Sequence, residues 1–147
     1  MKKILSIVAV LAIAFNFAAC NGAAEEQNKQ IDAIKAEVMK VHDDAMAKMG
    51  DLGTLERALD EKATAIKNDT TMASDSIAMV TVTNYETAVT SIKNAKSGMM
   101  EWMNNFKAPA DEATFEEKMA FYQEEMKKVT VVMEDINTSL ATGEEMK

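Results

Sequence analysis

The chain has one cysteine, one proline, one histidine, one tryptophan and five glycines in 147 residues. Each scarcity excludes something. With Cys20 as the only cysteine, no disulfide can form within the chain, so stability must come from packing. With Pro109 as the only proline, long stretches carry no strong helix breaker. A single arginine, Arg57, in a chain of formal charge −8 leaves no basic cluster for phosphates, so nucleic acid is excluded as a partner. The same charge disfavours lying flat on anionic lipid and suits solubility beside a membrane. There is no Gly-rich phosphate loop, no Gly-x-Ser-x-Gly elbow and no His-Glu-x-x-His pair. A carboxylate-bridged di-iron bundle needs Glu-x-x-His on two helices, and the residue three before His42 is Met39. No enzyme activity is expected.

What is present begins with an address. Lys2 and Lys3 precede an apolar run from Ile4 to Phe17, then Ala18, Ala19 and Cys20. Residues 1–19 read as a signal peptide, too short and wrongly flanked to span a membrane. A cysteine directly after small residues resembles a lipobox, with Phe17 standing where an aliphatic residue is usual. That pattern implies that Cys20 becomes the acylated first residue of a lipoprotein held outside the cytoplasm, on the periplasmic side of the outer membrane or on the surface. Removing residues 1–20 leaves 14 basic and 24 acidic residues, a formal charge of −10. Residues 20–28 read as anchor and polar tether, and residues 29–147 as one domain. Glu25 and Glu26 resemble the acidic export tags of surface lipoproteins in the Bacteroidota.

Three segments of that domain carry helical periodicity. Phe115, Met119, Tyr122, Met126, Val129, Met133, Ile136 and Leu140 alternate three and four apart, which is a heptad seam. Thr114 with Glu117 forms a capping box ahead of it. Tyr85, Ala88, Ile92, Ala95, Met99, Trp102 and Phe106 repeat the spacing, and Pro109 marks the break that follows. Ile31, Ile34, Val38, Val41, Ala45, Leu52, Leu55, Leu59 and Ile66 form the first seam, weakened by Gly50 and Gly53, where a bend or split is expected. Asn68 to Thr71 reads as the first turn, with Asp69, Thr70 and Thr71 as caps. Val80–Thr83 has strand character but is too short to interrupt a helix. The fold predicted is all-α: an up-down-up antiparallel three-helix bundle, with helices near 29–67, 72–106 and 113–142.

Methionine is the compositional anomaly, with 13 residues. Met119, Met126 and Met133 at heptad spacing read as core fillers. Met39, His42, Met46 and Met49 form a stripe along the first helix, and Met99, Met100 and Met103 surround Trp102 on the second. With hairpins centred near residues 70 and 109, His42 pairs in height with residue 98, and Met99 with Met119. His42, Met46, Met99, Met103 and Met119 then share one layer, with Trp102 at its edge. Thioether sulfur and imidazole suit Cu(I), and an indole face adds a cation–π contact. Periplasmic copper chaperones are similar in using His and Met near a Trp, on other folds. Asp43 and Asp44 flank His42, but adjacent helical residues diverge, so both are expected in solvent rather than on the ring. The plainer reading of His42 is a half-buried histidine at the seam margin.

The blocks Val41-His42-Asp43-Asp44-Ala45-Met46-Ala47-Lys48-Met49-Gly50-Asp51-Leu52 and Met99-Met100-Glu101-Trp102-Met103-Asn104-Asn105-Phe106 resemble the two motifs of small Bacteroidota lipoproteins often labelled "viral A-type inclusion protein". The pattern departs at Ala47, where proline is expected. The resemblance implies a helical envelope lipoprotein and no particular activity. In the same lineage, Asp69-Thr70-Thr71 and Asp75-Ser76-Ile77 resemble O-glycosylation sites, at Thr70 and Ser76. Two functional readings follow. One is a structural or interaction role, against an envelope protein or a second copy. The other is Cu(I) binding through His42, Met46, Met49, Met99 and Met103, with Trp102 capping the ion.

Overall fold

A computed structural model describes residues 22–72 and 74–147. The expected signal peptide and the expected lipidation site, Cys20, lie outside the described residues. Three helices follow in order: α1 (Gly22–Asn68), α2 (Ser76–Asn105) and α3 (Phe115–Glu144), each packed against the other two. The up-down-up bundle expected from the periodicity is the fold. Among the described residues no helix is long and apolar enough to cross a membrane.

The first helix is unbroken, correcting the expected bend or split at Gly50 and Gly53. At 47 residues it is about 70 Å long at 1.5 Å per residue. Gly50 and Gly53 in its interior cost helix propensity, about 1 kcal/mol each, but Leu52, Leu55 and Leu59 beside them are almost completely buried. Fully burying one leucine returns roughly 1.5–3 kcal/mol, so packing decides. Residues 22–28, read as a polar tether, belong to this helix and are exposed along their length.

The turns are longer than expected. Asp75, not Asp69, Thr70 or Thr71, caps α2, and its side chain accepts from the backbone N–H of Ile77 and Ala78. Asp69 instead accepts from the Thr71 backbone at 2.8 Å and from its hydroxyl at 2.6 Å. These bonds hold the Asp69 carboxyl below its usual range and shape the turn rather than the helix. The Val80–Thr83 stretch is helical. Thr81, Thr83, Thr87 and Thr90 each donate to the carbonyl four residues back, which satisfies the hydroxyls without leaving the helix. At α3 the capping box is present, Thr114 and Glu117 bonding reciprocally. Both Thr114 groups keep the Glu117 carboxyl below its usual range. At the other end Lys62 donates to the terminal carbonyls of Met146, at 3.1 Å, and Lys147.

The core contains Val38, Ala45, Leu52, Leu55, Leu59, Ile92, Met99, Val129 and Ile136. On α3 the buried line is shifted from the one the apolar pattern suggests. Tyr122, Glu125, Val129, Ile136, Ser139 and Gly143 are buried, while Met126, Met133 and Leu140 are partly buried at its margin. A helix touching two neighbours buries a broader stripe than a two-stranded seam. The α2–α3 contact accepts small and polar residues, with Ser91 Oγ 3.0 Å from Ser139 Oγ.

Candidate soft-metal site

The register of α1 against α2 decides what His42 meets. Lys96 lies beside both Gly53 and Glu56, and Met49 shares a groove with Met100. The longer first turn slides α2 by about one helical turn from the expected pairing, so His42 faces residues 102 and 103 rather than 98. The side chain of His42 is 17% exposed, and its Nε2 lies 3.2 Å from Met103 Sδ. Its ring centroid is 5.6 Å from that of Trp102, the planes tilted by 35°.

His42 Nδ1 is 2.9 Å from Asp43 Oδ1, which corrects the expectation that Asp43 only meets solvent. Adjacent Cβ atoms do diverge, but the two ring nitrogens sit on opposite edges. One edge turns toward α2, and the other stays at the surface where Asp43 reaches it. Asp44 pairs with Lys40 at 2.5 Å instead.

That bond has a chemical consequence. A carboxylate only accepts, so Nδ1 carries a proton. Methionine sulfur is also an acceptor and not a donor. In the neutral ring, therefore, the Nε2 lone pair faces a sulfur lone pair. The contact becomes favourable only when an electrophile lies between them: a proton on Nε2, giving an imidazolium, or a soft metal ion. Metal bonds of about 2.0 Å to imidazole and about 2.3 Å to sulfur would separate the two donors by about 4.3 Å in a linear complex and by about 3.5 Å near a tetrahedral angle. The observed 3.2 Å fits the bent arrangement after a shift of a few tenths of an ångström. A bent site needs a third donor.

The other expected ligands divide. Met46 is one turn from His42 on α1 and 37% exposed. Met99 is completely buried within the apolar core. Met49 lies two turns from His42, in the groove with Met100. Met119 does not share the layer. Gly98 lies against Val132, which places Met99 opposite residue 131, so Met119 is about 18 Å further along α3. Pro109 sits in a nine-residue connection, 106–114, that delays the start of α3. Thr70 and Ser76 are both exposed, Thr70 in the turn and Ser76 at the first position of α2.

Trp102, expected at the edge of the ligand layer, is 6% exposed within the core and beside the His42 ring. It stacks toward Phe106 at 5.1 Å, and Phe106 in turn meets Phe121. Its Nε1–H is buried and finds no acceptor among the described residues. An unsatisfied buried donor costs about 1–3 kcal/mol, which the burial of the large indole ring must outweigh. A cleft on the α2–α3 side is lined by Trp102, Glu125 and Lys128. Glu125, missed because the apolar pattern steps over it, is buried and accepts from Lys128 at 2.8 Å. That carboxylate pushes the Lys128 ammonium up. Its spacing, three after Tyr122 and four before Val129, was the available signal.

Among the described residues no three of His, Cys, Asp and Glu converge on a common point. The donors that meet at His42 are a ring nitrogen and a thioether sulfur, a pair that suits a soft ion better than a hard one. Compared with known proteins, the chain matches no family model, no curated protein and no solved structure.

Proposed function

We propose that this protein is a lipid-anchored helical bundle of the bacterial envelope that holds Cu(I) at His42 and Met103. The observation that carries the reading is the 3.2 Å approach of His42 Nε2 to Met103 Sδ across α1 and α2, with Nδ1 committed to Asp43. Nitrogen and thioether donors suit Cu(I). A carboxylate on the far nitrogen is the support that metal-binding histidines recurrently use. Met46 completes the bent site from one turn along α1, and Trp102 lends its ring to one side of the ion. Binding stores the ion; it performs no redox or hydrolytic step.

The test is a competition of the purified protein against a chromophoric Cu(I) chelator. The wild type withholds Cu(I), and the His42→Ala, Met46→Leu double variant loses at least tenfold in affinity. Equal retention by the two proteins would remove the proposal.

A second reading, an interaction role without metal, is favoured by one observation. Ile77 and Val80, on the first turns of α2, are 77% and 60% exposed, at the end of the bundle away from Gly22. Apolar side chains grouped at a tip suit docking on an envelope protein or a second copy. A monomer with no crosslinked partner in membranes would count against it.

A further inference from the structure

We infer that the open part of the α1–α2 groove holds a second, outer thioether site, formed by Met49 and Met100, from which a soft monovalent ion passes by Met46 to His42 and Met103. The inference rests on the Cu(I) reading of His42.

Core filling explains Met99, which is completely buried, but not Met100 and Met46, which are 51% and 37% exposed. Met49 is partly buried against the core and Met100 stands open to solvent, so the groove they share is offered one anchored and one free thioether. Met49 and Met100 line the same open groove of 770 Å³. Met46 stands between Met49 and His42 on α1, three residues from one and four from the other, which puts all three on one face. Met100 and Met103 are likewise three apart on α2. Two sulfur donors thus line the groove, and Met46 leads from Met49 along the same α1 face toward His42, where Met103 meets the imidazole.

Charge does not bar a cation there. Lys93 and Lys96, which also border the groove, both point at Glu56, at 3.9 and 2.8 Å, and Glu101 faces the same space. The surrounding chain is acidic, which raises the local cation concentration. A neutral thioether pair binds Cu(I) more weakly than a set that includes imidazole, so the gradient runs from Met100 inward to His42. In each transfer a copper–sulfur bond to the outer pair breaks as a bond to Met46, and then to His42 Nε2 and Met103 Sδ, forms. The ion stays Cu(I), and no electron or proton is exchanged with the donors.

The experiment titrates the full acylated chain in detergent with Cu(I) buffered by a chelator, following the methionine methyl NMR signals. Two equivalents are expected: the first shifts Met103, and the weaker second shifts Met49 and Met100. The Met49→Leu, Met100→Leu variant keeps the tight equivalent, loses the weak one and loads at least fivefold more slowly. His42→Ala loses the tight equivalent and keeps the weak one. These Met-to-Leu exchanges conserve volume, and an unchanged melting temperature confirms the fold. A double variant that binds both equivalents, or loads at the wild-type rate, overturns the outer site while leaving the His42 site standing. A wild type that binds no Cu(I) overturns both.

Discussion

Replacing Gly143 by alanine pits helix propensity against packing, and packing wins. A Cβ at Gly143 would lie 2.4 Å from Leu55 Cδ2, 2.9 Å from Cγ and 3.5 Å from Cδ1. Leu55 is 1% exposed and cannot swing into solvent, and the second contact reaches its branch point rather than its tip. Overpacking of this kind costs about 1–3 kcal/mol. Alanine over glycine returns at most about 1 kcal/mol, and less here because Gly143 is next to the last residue of α3. The net expectation is a loss of about 1–2 kcal/mol. Gly50→Ala is the control, because nothing lies within 4 Å of its Cβ position. It should stabilise by about 1 kcal/mol. Urea unfolding followed by helical circular dichroism measures both, at unchanged slope. Leu55→Ala should cost about 2–5 kcal/mol alone, and Gly143→Ala added to it should become neutral or favourable, a coupling of at least about 1 kcal/mol. Equal stabilisation by the two glycine substitutions would refute the α1–α3 register.

Thr114→Ala removes the α3 cap and should cost about 1 kcal/mol, read by the same unfolding assay. Because Thr114 holds Glu117 below its ordinary range in the fold, this contribution is present above the ordinary glutamate range and fades as pH falls through the lowered value. The variant should therefore show a shallower acid limb than the wild type. Asp43→Asn keeps the shape but removes the carboxylate that fixes the His42 tautomer. A chelator competition should show Cu(I) affinity falling about 10-fold or more, with stability nearly unchanged because Asp43 is 73% exposed. Cys20→Ser should move the protein from the membrane fraction to the soluble one, and an unchanged distribution would refute lipid anchoring.

The apolar spacing made the three helices legible, along with the Thr114–Glu117 cap and most of the α1 and α2 core. What escaped were quantities that side-chain periodicity does not encode. Turn length is one: Asp69 bonding to Thr71 postpones α2 until Asp75, which slides Met103 onto His42 and leaves residue 98 aside. The width of the buried stripe is another. With two neighbours to satisfy, α3 buries Glu125, Ser139 and Gly143, none of which an apolar pattern selects. The glycines misled for a related reason, since propensity at Gly50 and Gly53 is small against the burial of the leucines around them. For the site, the sequence supplied the ligand types on both helices. It did not show that Met119 stands apart, or that Asp43 orients the ring.

X-ray absorption at the copper edge of the Cu(I)-loaded protein tests the soft-metal assignment most directly. The predicted spectrum contains one imidazole nitrogen at about 2.0 Å and at least one sulfur at about 2.3 Å, and Met103→Leu weakens the sulfur shell. A first shell of only nitrogen and oxygen, identical in wild type and Met103→Leu, would contradict it.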